Sequence, residues 1–174
     1  MRPFILVASL GAVGLAVLGA ITVTNGFMHF GDHDHADDAL AHLHGLDRAY
    51  GEPGDGNKPF RTIEIGMRET HDGGMYFAPH VVTVRVGEQV QFVIKNDGDF
   101  AHEFVLATER ENLLHAEEMR RNPDMEHDDP NALRLAATER GELLWRFTKA
   151  GTFDFSCLIP GHREAGMHGQ IVAR

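Results

Sequence analysis

The sequence predicts an all-β protein, a Greek-key β-sandwich with a partly helical insertion. From residue 60 onward, short runs alternate apolar and polar residues with a period of two, as expected for half-buried antiparallel strands. Turn residues bound each run, and the runs show no internal repeat. Roughly seven such strands indicate two sheets packed face to face.

Composition and charge limit the classes of function. The chain has 174 residues, enough for one domain with a full core and additional segments. It carries 16 Lys and Arg against 26 Asp and Glu, which gives a net charge of -10. This balance argues against nucleic acid as a partner and favours cationic partners, metal ions included.

The chain has a single cysteine, Cys157, which limits the kinds of site it can form. One cysteine excludes an internal disulfide, and also a zinc or iron–sulfur site built from cysteines alone. Three roles remain for this residue: a buried structural thiol, a nucleophile or a metal ligand. Twelve histidines and seven methionines are many for this length, which directs attention to metal binding.

Residues 1–26 form an apolar segment of their own. No charged side chain occurs between Arg2 and Asp32, and residues 4–23 are mainly Phe, Ile, Leu, Val, Ala and Gly. A positive start before such a run predicts an export signal. An uncleaved membrane anchor is the alternative, because about 20 apolar residues can span a bilayer. We therefore expect a periplasmic protein, attached to the membrane only if this segment is retained.

Residues 27–58 are polar and rich in histidine and aspartate, with Gly and Pro near the end, which predicts a flexible arm and linker. His-X-His occurs twice in this arm. Metal capture and a merely solvated linker are the two interpretations of this pattern. The arm contains five histidines: His29, His33, His35, His42 and His44.

The remaining residues, 59–174, are predicted to form the sandwich domain. Its strands are expected near residues 61–65, 80–86, 89–95, 102–107, 142–147, 152–157 and 170–173. In the strand that ends at Cys157, that cysteine has the same parity as Phe153 and Phe155. Its side chain is therefore expected to face the core.

An insertion of about residues 108–141 interrupts the strand pattern. Thr108 and Glu111 have the spacing of a capping box, and helix-forming residues follow. Pro123 should end this helix at the preceding residue. The stretch 124–133 is predicted to be a polar loop.

The residues most typical of a metal site lie in one short loop. Cys157, His162 and Met167 are spaced five residues apart and offer a thiolate, an imidazole and a thioether. Two histidines and one cysteine in a plane, with a weak axial methionine, are typical of an electron-transfer copper site. His102, which follows a turn and begins a strand, is the expected second histidine.

Each of these residues also has a simpler explanation. A lone cysteine at a strand end is commonly a small buried hydrophobe. His102 could be an edge-strand histidine, and Met167 a core side chain. Nucleophilic catalysis by Cys157 is a further alternative, but it leaves Met167 unexplained. The combined spacing favours the metal site.

The chain resembles the cupredoxins, the blue-copper family, over residues 60–174. The similar motifs are Asn96…His102-Glu-Phe, Gly-Thr-Phe-Asp-Phe-Ser-Cys157, Pro-Gly-His162 and Gly-Met167. The resemblance implies one type 1 copper ion bound by His102, Cys157, His162 and Met167. It looks closest to exported bacterial copper-tolerance cupredoxins, which also carry a His-rich N-terminal segment.

The sequence differs from the patterns of several other copper proteins, which excludes some classes. A binuclear oxidase centre needs two cysteines, and a multicopper oxidase has histidines on both sides of its cysteine, where Ser156 and Leu158 stand here. Many simple electron carriers have Asn or a small residue after the first ligand histidine, where this chain has Glu103. They also usually lack so large an insertion, which weakens the case for a pure electron shuttle.

The sequence also contains candidates for weaker copper sites. His115 and Met119 share one face of the predicted helix, and Met125 and His127 follow in the loop. Packing of Met119 against the sandwich is the alternative. A loose group of Met67, His71, Met75 and His80 is better explained by packing at a strand edge, and His168 by an exposed loop position.

Two functions follow as hypotheses. The first is copper tolerance or homeostasis, by capture, buffering or oxidation of Cu(I), which leaves open whether the protein is an enzyme. The second is one-electron transfer to a respiratory or oxidase partner protein, with His162 as the electron port. Reduction of a small molecule would require an open catalytic copper, for which the sequence offers no clear residues.

Overall fold

The computed structural model describes residues 48–122 and 129–174. These residues form ten strands and one helix, α1 (Glu109–Arg121). The strands are β1 (Glu52–Pro53), β2 (Arg61–Glu69), β3 (Met75–Ala78), β4 (Val81–Val84), β5 (Gln89–Asn96), β6 (His102–Ala107), β7 (Ala132–Leu135), β8 (Arg140–Arg146), β9 (Gly151–Ser156) and β10 (His168–Ala173).

The strands form two five-stranded sheets. The first sheet has the order β1-β8-β5-β2-β3, and the second has the order β4-β10-β9-β6-β7. Neighbouring strands are antiparallel except for two parallel pairs, β2 with β5 and β4 with β10. The predicted all-β Greek-key sandwich with a helical insertion is confirmed.

The core between the sheets is rich in aromatic rings. The predicted inward residues of β5, Val90, Phe92 and Ile94, are fully buried. Phe104 of β6 stacks on Phe155 of β9, with ring centroids 5.2 Å apart. Burial of each such ring stabilises the fold by roughly 2–3 kcal/mol. These contacts fix the strand that begins at His102 and the strand that ends just before Cys157.

The helix α1 begins and ends where the sequence predicts. The backbone N–H of Thr108 donates to Glu111 Oε2 at 2.9 Å, and the Glu111 N–H donates back to Thr108 Oγ1 at 3.3 Å, which completes the capping box. Asn122 is the C-cap residue, one position before Pro123. Local hydrogen bonds thus define where this helix begins and ends.

One face of α1 packs on the second sheet. Its buried residues, Asn112, Ala116 and Met119, are four and three positions apart and therefore share a face. Ala116 and Met119 form a small apolar cluster with Val105 of β6 and Leu158, the residue after the cysteine. The insertion therefore contacts the loop that carries the candidate ligands.

The structure differs from the prediction in the second half of the insertion. Residues 124–133 are predicted to form a polar loop, but Ala132–Leu135 is a strand, β7, paired with β6. Leu135 lies opposite His102 in this pair. The sequence does not predict this strand, because β7 is short, follows a polar stretch and contains only two alternating leucines.

Two further features lie where the sequence pattern is weak. Packing begins before the predicted boundary at residue 59: Tyr50 is buried and stacks on Trp145, with ring centroids 5.7 Å apart. The Trp145 Nε1–H also donates to the Tyr50 carbonyl at 2.8 Å. Met75–Ala78, predicted only to pack at a strand edge, forms the short strand β3 on β2.

The apolar N-terminal segment and the five histidines of the arm lie outside the described residues, as do residues 123–128. Within residues 48–122 and 129–174, no helix is long and apolar enough to cross a membrane.

Candidate metal centre

His102 opens β6, and its side chain is fully buried. The preceding loop is held by Asn96, which is also buried and whose Oδ1 accepts the Gly98 N–H at 3.0 Å. The Asn96 Nδ2 group donates at 2.8, 3.1 and 3.0 Å to the carbonyls of Phe100, Leu135 and Ala136. These bonds fix the backbone that leads into His102.

Cys157 directly follows β9, and its side chain is fully buried, as predicted from its parity with Phe153 and Phe155. Its Sγ accepts the backbone N–H of Glu103 at 3.3 Å. Burial raises the pKa of the thiol to about 12, although backbone N–H donors partly oppose this shift. The thiol is therefore protonated at neutral pH without a metal, and a bound metal must displace that proton.

The loop from Cys157 to Met167 is closed by backbone hydrogen bonds. The Met167 carbonyl accepts the Cys157 N–H at 3.0 Å, and the Met167 N–H donates to the His162 carbonyl at 3.1 Å. Gly161 and Gly166 have φ values of +89° and +106°, a conformation that L side chains rarely adopt. The fully buried Met167 is thus tied by its backbone to both Cys157 and His162.

Three of the four expected ligands bring their donor atoms together. His102 Nδ1 lies 3.2 Å from His162 Nδ1, and Cys157 Sγ lies 3.3 Å from the same His162 nitrogen. All three donor atoms are within 4.8 Å of one another, and no other such group of His, Cys, Asp and Glu occurs in the described part of the chain. Donors that share one ion at about 2 Å lie roughly 3–4 Å apart, so the cluster fits a single ion.

The donor chemistry fits copper. Two imidazole nitrogens and one sulfur are the planar ligands of an electron-transfer copper site. Burial, with the neighbouring His102, holds the pKa of His162 below its usual value, so its ring is neutral at neutral pH, the form that binds metals. The ring of His162 is only partly buried, whereas that of His102 is enclosed.

Glu69 is a part of the site that sequence reasoning missed. Its Oε1 lies 2.6 Å from His102 Nε2, on the side of the ring away from the cluster. Burial opposes ionisation of Glu69. Hydrogen bonds from His102 and from the N–H groups of Phe100 and Asp99 outweigh this effect and hold its pKa below the usual value. A carboxylate accepts the proton of Nε2, which leaves the lone pair of Nδ1 for a metal.

A buried polar network supports the other side of the loop. Asp154 Oδ2 accepts hydrogen bonds from Asn112 at 2.7 Å, Ser156 at 2.6 Å and Arg163 at 3.0 Å. Asp154 is buried, and Arg163 directly follows His162. The network thus connects α1, β9 and the ligand loop at one point.

The other metal candidates are more dispersed. Met119 is buried in the cluster between α1 and the sheet, and Met67 is part of the main core. His71, His80 and His168 are exposed. His115 is partly buried, while Met125 and His127 lie outside the described residues. The structure therefore brings together the ligands from β6 and the Cys157 loop, and it gives packing roles to two of the methionines.

A Greek-key sandwich with two imidazoles and one thiol converging at one end of two neighbouring strands, β6 and β9, has the features of a type 1 copper protein, or cupredoxin. The chain matches the family described as copper binding proteins, plastocyanin/azurin family, over residues 65–174, and it belongs to that family. The resemblance found in the sequence is thereby confirmed.

Similar proteins include two described as copper-resistant cuproprotein CopI. The protein from Rubrivivax gelatinosus is 52% identical over 143 residues, which covers 82% of this chain and 84% of the relative. The protein from Pseudomonas aeruginosa is 33% identical over 156 residues and covers 73% of this chain and 83% of the relative.

Solved structures show the same fold. Auracyanin from Roseiflexus castenholzii superposes with a TM-score of 0.56 at 20% identity, covering 67% of this chain and 99% of auracyanin. Auracyanin B gives a TM-score of 0.55 at 24% identity, covering 71% of this chain and 96% of that structure. At such identities the likeness concerns the fold alone.

Proposed function

We propose that the protein binds one copper ion as a type 1 centre and acts in copper tolerance in the periplasm. His102, Cys157, His162 and Met167 would hold the ion, through two imidazoles, a thiolate and a thioether. When bound, copper in such a centre changes oxidation state with little change in geometry, because the scaffold fixes its ligands.

The observation that carries this proposal is the convergence of His102 Nδ1, His162 Nδ1 and Cys157 Sγ within 4.8 Å. The side chains come from two separate parts of the chain and meet only through the pairing of β6 with β9. Two of the three have a hydrogen-bond partner outside the cluster: Glu69 for His102, and the backbone N–H of Glu103 for Cys157. Such outer hydrogen bonds orient ligands before a metal arrives.

The role in tolerance is supported by the relatives described as copper-resistant, which cover most of this chain. The sequence adds the arm of residues 27–58, whose five histidines would capture further copper. The apolar segment of residues 1–26 would direct export, since it has the composition of a signal. Capture at the arm and binding in the sandwich would together lower the concentration of free copper.

Electron transfer to a partner protein is the second candidate. Its supporting observation is the partial exposure of His162, whereas His102, Cys157 and Met167 are fully buried. An electron would leave most readily through the ring that reaches the surface. This function needs the copper centre but not the histidine-rich arm.

A deletion strain separates the two functions. The tolerance proposal predicts growth failure at high copper with normal respiration, and rescue by the wild-type gene but not by one encoding Cys157→Ser. Normal growth of the deletion strain at high copper would contradict it. A respiratory defect at low copper would favour electron transfer instead.

A further inference from the structure

Glu69 contacts the ring nitrogen of His102 that faces away from the cluster, so its charge can act on a bound metal through the imidazole ring. Glu69 Oε1 and His102 Nε2 are 2.6 Å apart, the short distance expected of a charge-assisted hydrogen bond. His102 is fully buried, and only 15% of the Glu69 side chain is exposed. Water therefore screens this contact little.

The carboxylate of Glu69 is held in place independently of His102. The N–H of Phe100 donates to its Oε1 and the N–H of Asp99 to its Oε2, both at 3.1 Å. The chain passes so close that a Cβ added at Gly98 would lie 2.2 Å from Oε2. The backbone of residues 98–100 thus holds this carboxylate in place. Glycine is needed at position 98, because a side chain there would collide with the carboxylate.

We infer that Glu69 is a positioning residue that orients His102 and stabilises the cupric over the cuprous state of the bound ion. This inference rests on the proposed copper site. A fixed negative charge behind the ring makes Nδ1 a stronger donor. It also attracts the doubly charged ion more strongly than the singly charged one. For the couple Cu(II) + e⁻ ⇌ Cu(I), Glu69 therefore lowers the reduction potential.

The direct test is the reduction potential of the Glu69→Gln protein, with an electrode as the electron source. The substitution keeps the size of the side chain and an oxygen acceptor, but it removes the charge. We expect the Cu(II)-to-Cu(I) preference to fall about tenfold, which is a rise of about 59 mV for a one-electron couple. The Cu(II) spin-resonance spectrum should also change, since the ring is less firmly oriented.

Glu64→Gln is the matched control. Glu64 lies on the same strand, β2, and its exposed carboxylate pairs with Lys95 at 2.8 Å. Its removal changes the net charge equally, without contact to the cluster, so its potential should remain close to that of the wild type. Equal potentials for Glu69→Gln and Glu64→Gln would overturn the inference.

Nitrogen NMR of the metal-free wild-type protein gives a second test that needs no variant. The contact with Glu69 requires the His102 proton on Nε2 and a lone pair on Nδ1. The opposite tautomer would overturn the inference even if Glu69→Gln failed to fold.

Different results would contradict the copper site and the role of Glu69. A wild-type protein without a thiolate-to-copper absorption band would contradict the copper site itself. A normal band with an unshifted potential in Glu69→Gln would contradict the role of Glu69 only.

Discussion

Cys157 shows how burial sets the chemistry of a single residue. Its thiol lies in the core beside Phe155 and Met167, and its pKa is raised to about 12 by the loss of solvation. Only the thiolate binds a metal. In the metal-free protein the Cys157 thiol is therefore neutral. It becomes a thiolate only when a bound cation balances the negative charge.

Copper binding should consequently release one proton from Cys157. At neutral pH the thiol is protonated, well below its pKa, while the lowered pKa of His162 leaves that ring neutral. The apparent affinity should therefore rise about tenfold per pH unit. Titration of Cu(II) into weakly buffered metal-free protein with a pH indicator measures this release. Cys157→Ser should lack it, and a wild-type protein that releases no proton would contradict the raised pKa.

The sequence identifies some residues of the site and not others, for a physical reason. Cys157, His162 and Met167 share one loop, and His102 starts a recognisable strand, so spacing and residue type suffice to propose them. Glu69 is 33 residues from His102 and meets it only after two sheets have formed. No periodicity signals such a contact. Only the folded structure, in which the Glu69 carboxylate lies 2.6 Å from His102 Nε2, reveals it.

The elements around the site differ in how well their sequences specify them. The helix α1 is predictable because its caps are local hydrogen bonds between residues three or four positions apart. The strand β7 is not, because a four-residue strand depends on its partner β6 for stability. The short strands β1 and β3 also depend on their neighbours in the first sheet.

The contact between α1 and the ligand loop is specific rather than merely apolar. Arg120 of the helix pairs with Glu164 of the loop at 3.0 Å on the surface. In the buried part of the contact, Asn112 donates to Asp154 at 2.7 Å and to the Val105 carbonyl at 3.1 Å. The exposed ion pair contributes little, whereas the buried bonds leave polar groups unpaired if they are lost.

Asn112→Ala should therefore destabilise the protein by about 2–3 kcal/mol. The substitution removes two donors and leaves the buried Asp154 with one partner fewer. Urea unfolding of the metal-free protein measures the effect. Leu114→Ala, at a residue of the same helix that is 52% exposed, is the control and should change stability by less than about 0.5 kcal/mol. Equal effects of the two substitutions would show that the network does not hold the helix.

At the scale of the whole molecule, the sequence joins the polar, histidine-rich arm to the sandwich. Within the described residues, the packing of the sandwich includes Tyr50, which stacks on Trp145, and β1, which pairs with β8. The sequence alone assigns these residues to the linker, since a single tyrosine stands there among Gly, Pro and charged residues. A truncation meant to test the histidines of the arm must therefore keep residues 48–58.

Removal of residues 27–47 should lower the number of copper ions bound without affecting the sandwich. The five histidines are lost, while the contacts of Tyr50 remain. Copper stoichiometry should fall, and the thermal unfolding midpoint and the charge-transfer band should be unchanged. An unchanged stoichiometry would show that the arm is only a linker. A truncation through residue 58 is the comparison, and it should also lower the unfolding midpoint.

The central claim is that Cys157 and two histidines hold one copper ion in the sandwich. Titration of the metal-free protein with Cu(II), followed by visible absorption, tests it directly. An intense thiolate-to-copper band should grow until one equivalent is bound, and Cys157→Ser should abolish it. A band that survives this substitution, or one that never forms in the wild-type protein, would contradict the account.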